Sequence, residues 1–336
     1  MHPGSTLPHP LPALQGLLAV LGGGEVRQLR RLSGGASQET WAFDRVHGQG
    51  QQALVLRRAP GGAKDLGHLS AGLASEFELL RLALAAGVPV PAPVLLLGPE
   101  MDLGRGYLMG RIEGETLGRR IVGDDRFAHA RSQLARQCGL ALARIHALPL
   151  ATLPQLRCTD APREVAAFGR WHAEHGTLRP VFDLALQWLT AHLPTQAGEP
   201  ALVHGDFRNG NLMVDEQGLV GVLDWELAHC GDPMEDLGWI CVNSWRFGRS
   251  ELAVGGFGQP EELFQGYRDG GGQVDTSRVH FWQVMGTLKW GLICDGMAQA
   301  WLNGDERQVE RAAIGRRASE AEIDLLDLLC PLSERA

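Results

Sequence analysis

Eight residues in the middle of the chain, His204-Gly205-Asp206-Phe207-Arg208-Asn209-Gly210-Asn211, separate the short apolar segments "ALV" and "LMV". So polar an interruption of a buried hairpin asks for a role. After Asn211, "LMV" reads as a strand, "DEQG" as a tight turn and "LVGVL" as a second strand ending at Asp224. Pairing the strands sets Leu212 near Gly221 and brings Asn211 and Asp224 out at one open end. Both offer hard oxygen atoms. Mg²⁺ takes such ligands, usually from one or two side chains, with phosphates and water completing the octahedron. The preceding loop returns Asp206 to the same mouth, with Arg208 beside it. A metal, an anion clamp and a base would meet there, which suits a metal-bound phosphate held next to a hydroxyl.

The elements that must position these residues fall into two regions. Leu14, Leu17, Leu18 and Leu21 recur at helical spacing ahead of Gly22–Gly24, a short amphipathic helix with a stop. "EVRQLRRL", "ETWAFDRV" and "ALVLRR" read as strands, with "SGGASQ" and "HGQGQQ" between them. "LASEFELLRLALAAG" is a helix with Leu73, Phe77, Leu80 and Leu84 on its apolar face and Gly87 beyond its end. "VPVPAP" cannot be helical. "VLLLG" and "RGYLMG" complete about five strands. Beyond "RIEGETLG" the chain turns helical: "HARSQLARQCGLALARIHALP", the stretch 163–193, and "VHFWQVMGTLKWGLICDGMAQAWL" after the hairpin.

Composition narrows the field. Of 336 residues, 44% are hydrophobic and 21% charged, enough for a sizeable core in two lobes or domains. The net charge of −8 argues against a nucleic-acid partner, whose phosphates want basic surface, and leans slightly towards cationic small molecules. Six scattered cysteines form no C-x-x-C pair, so zinc and thioredoxin-type chemistry lack support and a reducing compartment is the simpler reading. No apolar run reaches the roughly 18 residues that a membrane span needs. No Lys or Arg precedes "LPALQGLLAVLGGG", unlike a signal peptide. We expect a cytoplasmic protein without a membrane partner; its oligomeric state is unreadable.

H-G-D-x-x-x-x-N followed by the Asp of "DWE" resembles the catalytic core of the aminoglycoside phosphotransferase family, within the protein-kinase-like superfamily. "DWELAHCGDPMEDLGW" and "FWQVMGTLKWG" look most like the branch related to the kinase-like portion of acyl-CoA dehydrogenase fusion proteins. The resemblance implies an α+β, bilobal protein-kinase-like fold. Residues 1–108 would form an N-lobe of about five antiparallel strands plus a helix, 109–116 a hinge, and 117–336 a mainly helical C-lobe bearing the catalytic hairpin. It implies ATP and Mg²⁺, with a small-molecule hydroxyl as acceptor. Asp206 would orient the hydroxyl proton, and Arg208 stands where protein kinases place a phosphate-contacting Lys. Asn211 and Asp224 would hold Mg²⁺, and His204 would buttress the loop. Ser33, Gly34, Gly35 and Ser37 lie where a loop covers the nucleotide phosphates, without the kinase G-x-G-x-x-G. Arg57 replaces the usual phosphate-binding Lys, with Glu76 as its ion-pair partner. Backbone groups near Met109 and Arg111 would bond adenine. Relatives act on aminoglycosides, other sugars and amino alcohols, and the branch suggests a hydroxyacyl or acyl-CoA-related hydroxyl, so the acceptor stays open.

Blander readings stand beside these. Arg57 with Glu76 is otherwise a surface salt bridge, and Glu78 with Arg81 a solvated i,i+3 pair. Asp232 is a third metal ligand or, better, the N-cap of a capping box with Pro233 at N1 and Glu235 at N3. Asp236 either braces the catalytic loop, by resemblance, or is a first-turn acid. Glu226 reaches a second Mg²⁺ or substrate, or lies exposed. "WHAEH" at 171–175 lacks the H-E-x-x-H order and reads as a solvated face. Trp282, Trp290 and Trp301 suit core better than a substrate cage. Two other function classes remain. The Arg57 replacement fits a nucleotide-binding regulator without transferase activity; a metal-dependent hydrolase lacks the His-rich or multi-Asp set of two-metal sites.

Overall fold

The computed structural model describes residues 9–32, 38–59, 70–175, 177–195, 198–305 and 307–330. Helix α1 (Leu11–Val20) buries Leu14, Leu17 and Leu18. It closes one face of an antiparallel sheet against Phe43, Leu54, Leu56 and Leu108. The sheet comprises β1 (Glu25–Arg31), β2 (Glu39–His47), β3 (Gly50–Arg58), β4 (Pro93–Leu96) and β5 (Gly106–Gly110). Their spatial order is β1-β2-β3-β5-β4. Alternation along β3 sends Leu54 and Leu56 to that core, so Arg57 faces the other way, towards helix α2.

Helix α2 (Leu73–Ala85) buries Glu76, Leu79, Leu80 and Ala83. Leu73 and Phe77 of the expected face pack partly buried against the core, and only Leu84 of that face turns out, 43% exposed.

The rest is mainly helical: α3 (Gly118–Gly123), α4 (Ala128–His146), α5 (Ala161–His175), α6 (Pro180–Ala191), α7 (Met234–Trp239), α8 (Pro260–Asp269), α9 (Thr276–Leu302), α10 (Val309–Gly315) and α11 (Ala318–Leu329). One hydrophobic cluster runs through these helices and reaches Leu79 and Tyr107 under the sheet. Two small sheets sit on this body. β6 (Ala201–Val203) pairs with β9 (His229–Gly231), and β7 (Leu212–Val214) with β8 (Leu219–Val222).

The β7–β8 hairpin differs by one residue from the expected register: Leu212 lies opposite Val222, and Met213 opposite Gly221. The Asp215 side chain accepts from the N–H groups of Gln217 and Gly218, and an irregularity at Met213/Val214 takes up the offset. In α5, "WHAEH" is only partly solvated. His172 is buried, with Nε2 3.2 Å from Asp183 Oδ1, while Glu174 and His175 face out. Trp282 is core, as expected, and Trp290 and Trp301 are half-buried.

Candidate active site

The loop 204–211 is held from beneath. Asp236, in the first turn of α7 and fully buried, accepts from the backbone N–H groups of His204 (2.7 Å) and Gly205 (3.0 Å). His146 Nε2 adds a third contact at 3.0 Å, and the Tyr267 hydroxyl lies 2.8 Å from His146 Nδ1. Burial alone would raise the Asp236 carboxyl; the bonds and charges of His146 and His204 hold it below the usual carboxylate range. Of the two roles weighed for Asp236, the bracing one is what the geometry has.

His204 is an internal strut. Nε2 meets Leu223 O at 3.1 Å, and Nδ1 accepts from Asp206 N–H at 3.3 Å. Those bonds suit a neutral imidazole carrying its proton on Nε2. Burial depresses its pKa, although Asp236, Asp206 and Asp224 pull the other way. Gly205 has φ +80°, and a Cβ there would lie 2.4 Å from Leu227 O, so the turn admits only glycine. Asn209, also buried, pins the far side of the loop through Nδ2 to Gly255 O (2.7 Å).

Asp206 emerges from this support with its carboxylate fixed. Oδ1 accepts from Trp239 Nε1 (2.9 Å) and Arg208 Nε (3.0 Å), and Oδ2 from Asn211 Nδ2 (2.6 Å). Leu223 N–H donates to Asn211 O (2.8 Å), which ties the two ends of the hairpin and brings the main chain at Asn211 close to that before Asp224. Asp224 has φ +64°, an unusual value for a residue with a Cβ. Its Oδ1 lies 2.8 Å from Arg57 Nη2.

Arg57 links the sheet to the loop. Its Nε lies 3.1 Å from Glu76, and Nη2 reaches Glu226 at 3.5 Å besides Asp224. Glu76 also accepts from the Tyr107 hydroxyl (3.1 Å). Burial would lower the Arg57 pKa, but Glu76, with Tyr107, Asp224 and Glu226, holds it above its ordinary value. Burial raises the Glu76 carboxyl, and Arg57 opposes that rise. With Glu76 1% exposed, this is no surface salt bridge. Glu78 and Arg81 do form the solvated pair at 2.9 Å.

Ser33, Gly34, Gly35 and Ser37 lie outside the described residues. Met109 stands opposite Val55 and Pro93 in the sheet, and Arg111 donates its N–H to Ala53 O and its guanidinium to Asp44 and Glu113. Asp232 accepts from Met234 N–H, but no capping box forms. Glu235 turns to His229 (3.1 Å), while Arg278 and Trp282 of α9 take the Asp232 oxygens, each at 2.9 Å. Tyr107, His146 and Trp239 are contacts that sequence reading missed. Only the inward alternation of Tyr107 in β5 gave a local signal; the other two are set by helix packing.

Behind Asp206 lies a packed aromatic cluster, with Trp239 and Trp245 buried and Trp290 half-buried. Trp239, Trp245 and Trp290 form a chain with ring centroids 5.1 and 4.8 Å apart. Arg208 lies over Trp245 (4.6 Å), Lys289 over Trp239 (4.9 Å) and Arg317 over Trp290 (5.6 Å).

A family model, "Phosphotransferase enzyme family", matches residues 28–273. The chain is 27% identical to acyl-CoA dehydrogenase family member 11 of Gallus gallus, over 91% of this chain and 40% of that protein, so it spans less than half of that relative's length. Among solved structures, a Ralstonia eutropha protein assigned as an aminoglycoside phosphotransferase superposes with TM-score 0.73 at 22% identity, covering 94% of this chain and 97% of the other. A spectinomycin phosphotransferase in complex with ADP and spectinomycin gives TM-score 0.63 at 15% identity, covering 94% and 98%. The bilobal α+β fold expected from the sequence is the fold these structures share. Among the described residues no helix is long and apolar enough to cross a membrane.

Proposed function

The chain belongs to the phosphotransferase enzyme family, and we propose that it moves the γ-phosphate of ATP to a hydroxyl of a small molecule. The observation that carries this reading is that two pairs, Asn211 with Asp206 (2.6 Å) and Arg57 with Asp224 (2.8 Å), are joined across the hairpin by the Leu223 N–H to Asn211 O bond (2.8 Å). An ADP complex among the structural neighbours supports the nucleotide.

The donor set suits a hard cation. Asn211 gives Nδ2 to Asp206, which leaves its Oδ1; Asp224 gives Oδ1 to Arg57, which leaves its Oδ2. Among the described residues no group of three or more His, Cys, Asp or Glu could hold a metal ion. A cation here therefore relies on one carboxylate, one amide oxygen and phosphate oxygens, the arrangement Mg²⁺ favours over a protein cage. When bound it would offset the charge on the phosphates during transfer. Arg57 neutralises phosphate charge from the sheet side, positioned by Glu76. Asp206, its carboxylate held by three donors, takes the acceptor hydroxyl's proton and aims the oxygen at phosphorus. Backbone groups near Met109 and Arg111 would bond adenine, apart from the Gly110 and Arg111 N–H groups, which Ala92 O and Ala53 O already take. Arg208, bonded to Asp206 Oδ1 at 3.0 Å, would offset phosphate charge beside it.

The acceptor meets the chain at the Asp206 carboxylate, which is 15% exposed. Hydroxyacyl compounds head the panel, since the curated relative carries an acyl-CoA dehydrogenase name.

Incubating the protein with Mg-ATP and a panel of hydroxyacyl compounds, sugars and amino alcohols tests the reading. We expect a phosphorylated product, and Asp206→Asn should lose about 10²–10⁴ in turnover with nucleotide affinity nearly intact. Tight Mg-ATP binding with no product from any acceptor would favour the regulatory alternative.

A further inference from the structure

Two of the six cysteines are spatial neighbours. Cys158, in the loop between α4 and α5, forms a parallel bridge with Cys230 of β9. Main-chain bonds flank it on both sides: Cys230 N–H donates to Arg157 O (2.8 Å), and Thr159 N–H donates to Cys230 O (2.9 Å). Bridge partners in adjacent strands lie about 4.7–4.9 Å apart, with their side chains on the same face. A disulfide needs Cα atoms roughly 4.4–6.8 Å apart, so no main-chain movement is required.

The loop is held in place from a second direction. Glu164 in the first turn of α5 takes the Arg157 guanidinium and the Thr159 hydroxyl, the residues on either side of Cys158. Cys158 is exposed and Cys230 half-buried, so a small oxidant has access to the pair. Cys138, Cys241 and Cys294 are buried and have no such access.

We propose that Cys158 and Cys230 are a dithiol modification site, which hydrogen peroxide oxidises to an intramolecular disulfide. The Cys158 sulfur attacks the peroxide oxygen; an S–O bond forms, the O–O bond breaks and water leaves. The Cys230 sulfur then attacks the Cys158 sulfur; the S–S bond forms, the S–O bond breaks and a second water carries away the Cys230 proton. Two thiols lose two electrons, and the peroxide becomes two waters. Cys158 reacts first because burial and the neighbouring Cys158 push the Cys230 thiol up to about 11. The link would staple β9 to the 157–159 loop. β9 pairs with β6, which runs directly into His204, so the staple borders the catalytic loop.

The test uses the full-length protein treated with hydrogen peroxide, then intact mass and non-reducing peptide mapping. We expect the loss of two hydrogens, one peptide pair joined through Cys158 and Cys230, and reversal by dithiothreitol. Cys158→Ser and Cys230→Ser should each abolish the link, and Cys330→Ser should keep it. Added oxygen on Cys158 without a link, or disulfides only to Cys330 or between chains, would overturn the proposal.

Discussion

Replacing Asp236 by Ala removes one buried carboxylate and strands three donors. The His204 and Gly205 N–H groups lose acceptors at 2.7 and 3.0 Å, and His146 Nε2 loses its partner at 3.0 Å. Each hydrogen bond to a charged group contributes about 1.5–3 kcal/mol, and an orphaned buried donor costs about 1–3 kcal/mol. Relief from burying the carboxylate itself offsets part of the sum, so we expect a net loss of about 3–5 kcal/mol. The assay is urea unfolding followed by tryptophan fluorescence, which buried Trp225, Trp239 and Trp245 make sensitive. Turnover should fall with stability, because Asp206 stands on the loop that these bonds hold. Asp236→Asn keeps one oxygen acceptor and should lie between. A midpoint within about 1 kcal/mol of the parent at unchanged slope would refute the account of Asp236 as anchor.

Gly205→Ala would force a Cβ to 2.4 Å from Leu227 O at φ +80°; it should cost about 1–3 kcal/mol in thermal unfolding and lower turnover. Arg57→Lys has one ammonium where the guanidinium reaches Glu76 and Asp224 together, so nucleotide affinity should fall about tenfold by calorimetry, close to 1.4 kcal/mol. Burial depresses His204 in the fold, so its contribution to stability is full above the unfolded value of about 6.5 and is lost as pH falls through and below it. His229, raised by Glu235 against its burial, works in the opposite sense, losing its contribution as pH rises through its raised value. Thermal midpoints between about pH 7.5 and 5.5 should therefore show a fall on the acid side that His204→Gln flattens.

The sequence was most legible where spacing and chemistry coincide. Asp206, Asn211 and Asp224 follow each other so closely that a single hairpin decides their meeting, and the meeting tolerates a register one residue off. The Arg57–Glu76 pair was legible through the family resemblance, whereas the further contacts of Arg57 with Asp224 and Glu226 join segments far apart in the chain. Asp232 was misread for a related reason: its partners Arg278 and Trp282 lie in α9, far along the chain, and they outcompete a local capping box. His146 and Trp239 reach the 204–211 loop and its anchor only through helix packing, which no short motif encodes. The β9 strand is three residues long and carries no alternation to find.

The central claim is that Asn211 and Asp224 share one divalent cation beside Asp206. A crystal structure with Mg²⁺ and a non-hydrolysable ATP analogue tests it most directly. The account predicts Mg²⁺ about 2.0–2.1 Å from the Asn211 Oδ1 and an Asp224 carboxylate oxygen, with the γ-phosphate facing Asp206. A cation bound to neither residue, or a γ-phosphate turned away from Asp206, would contradict it.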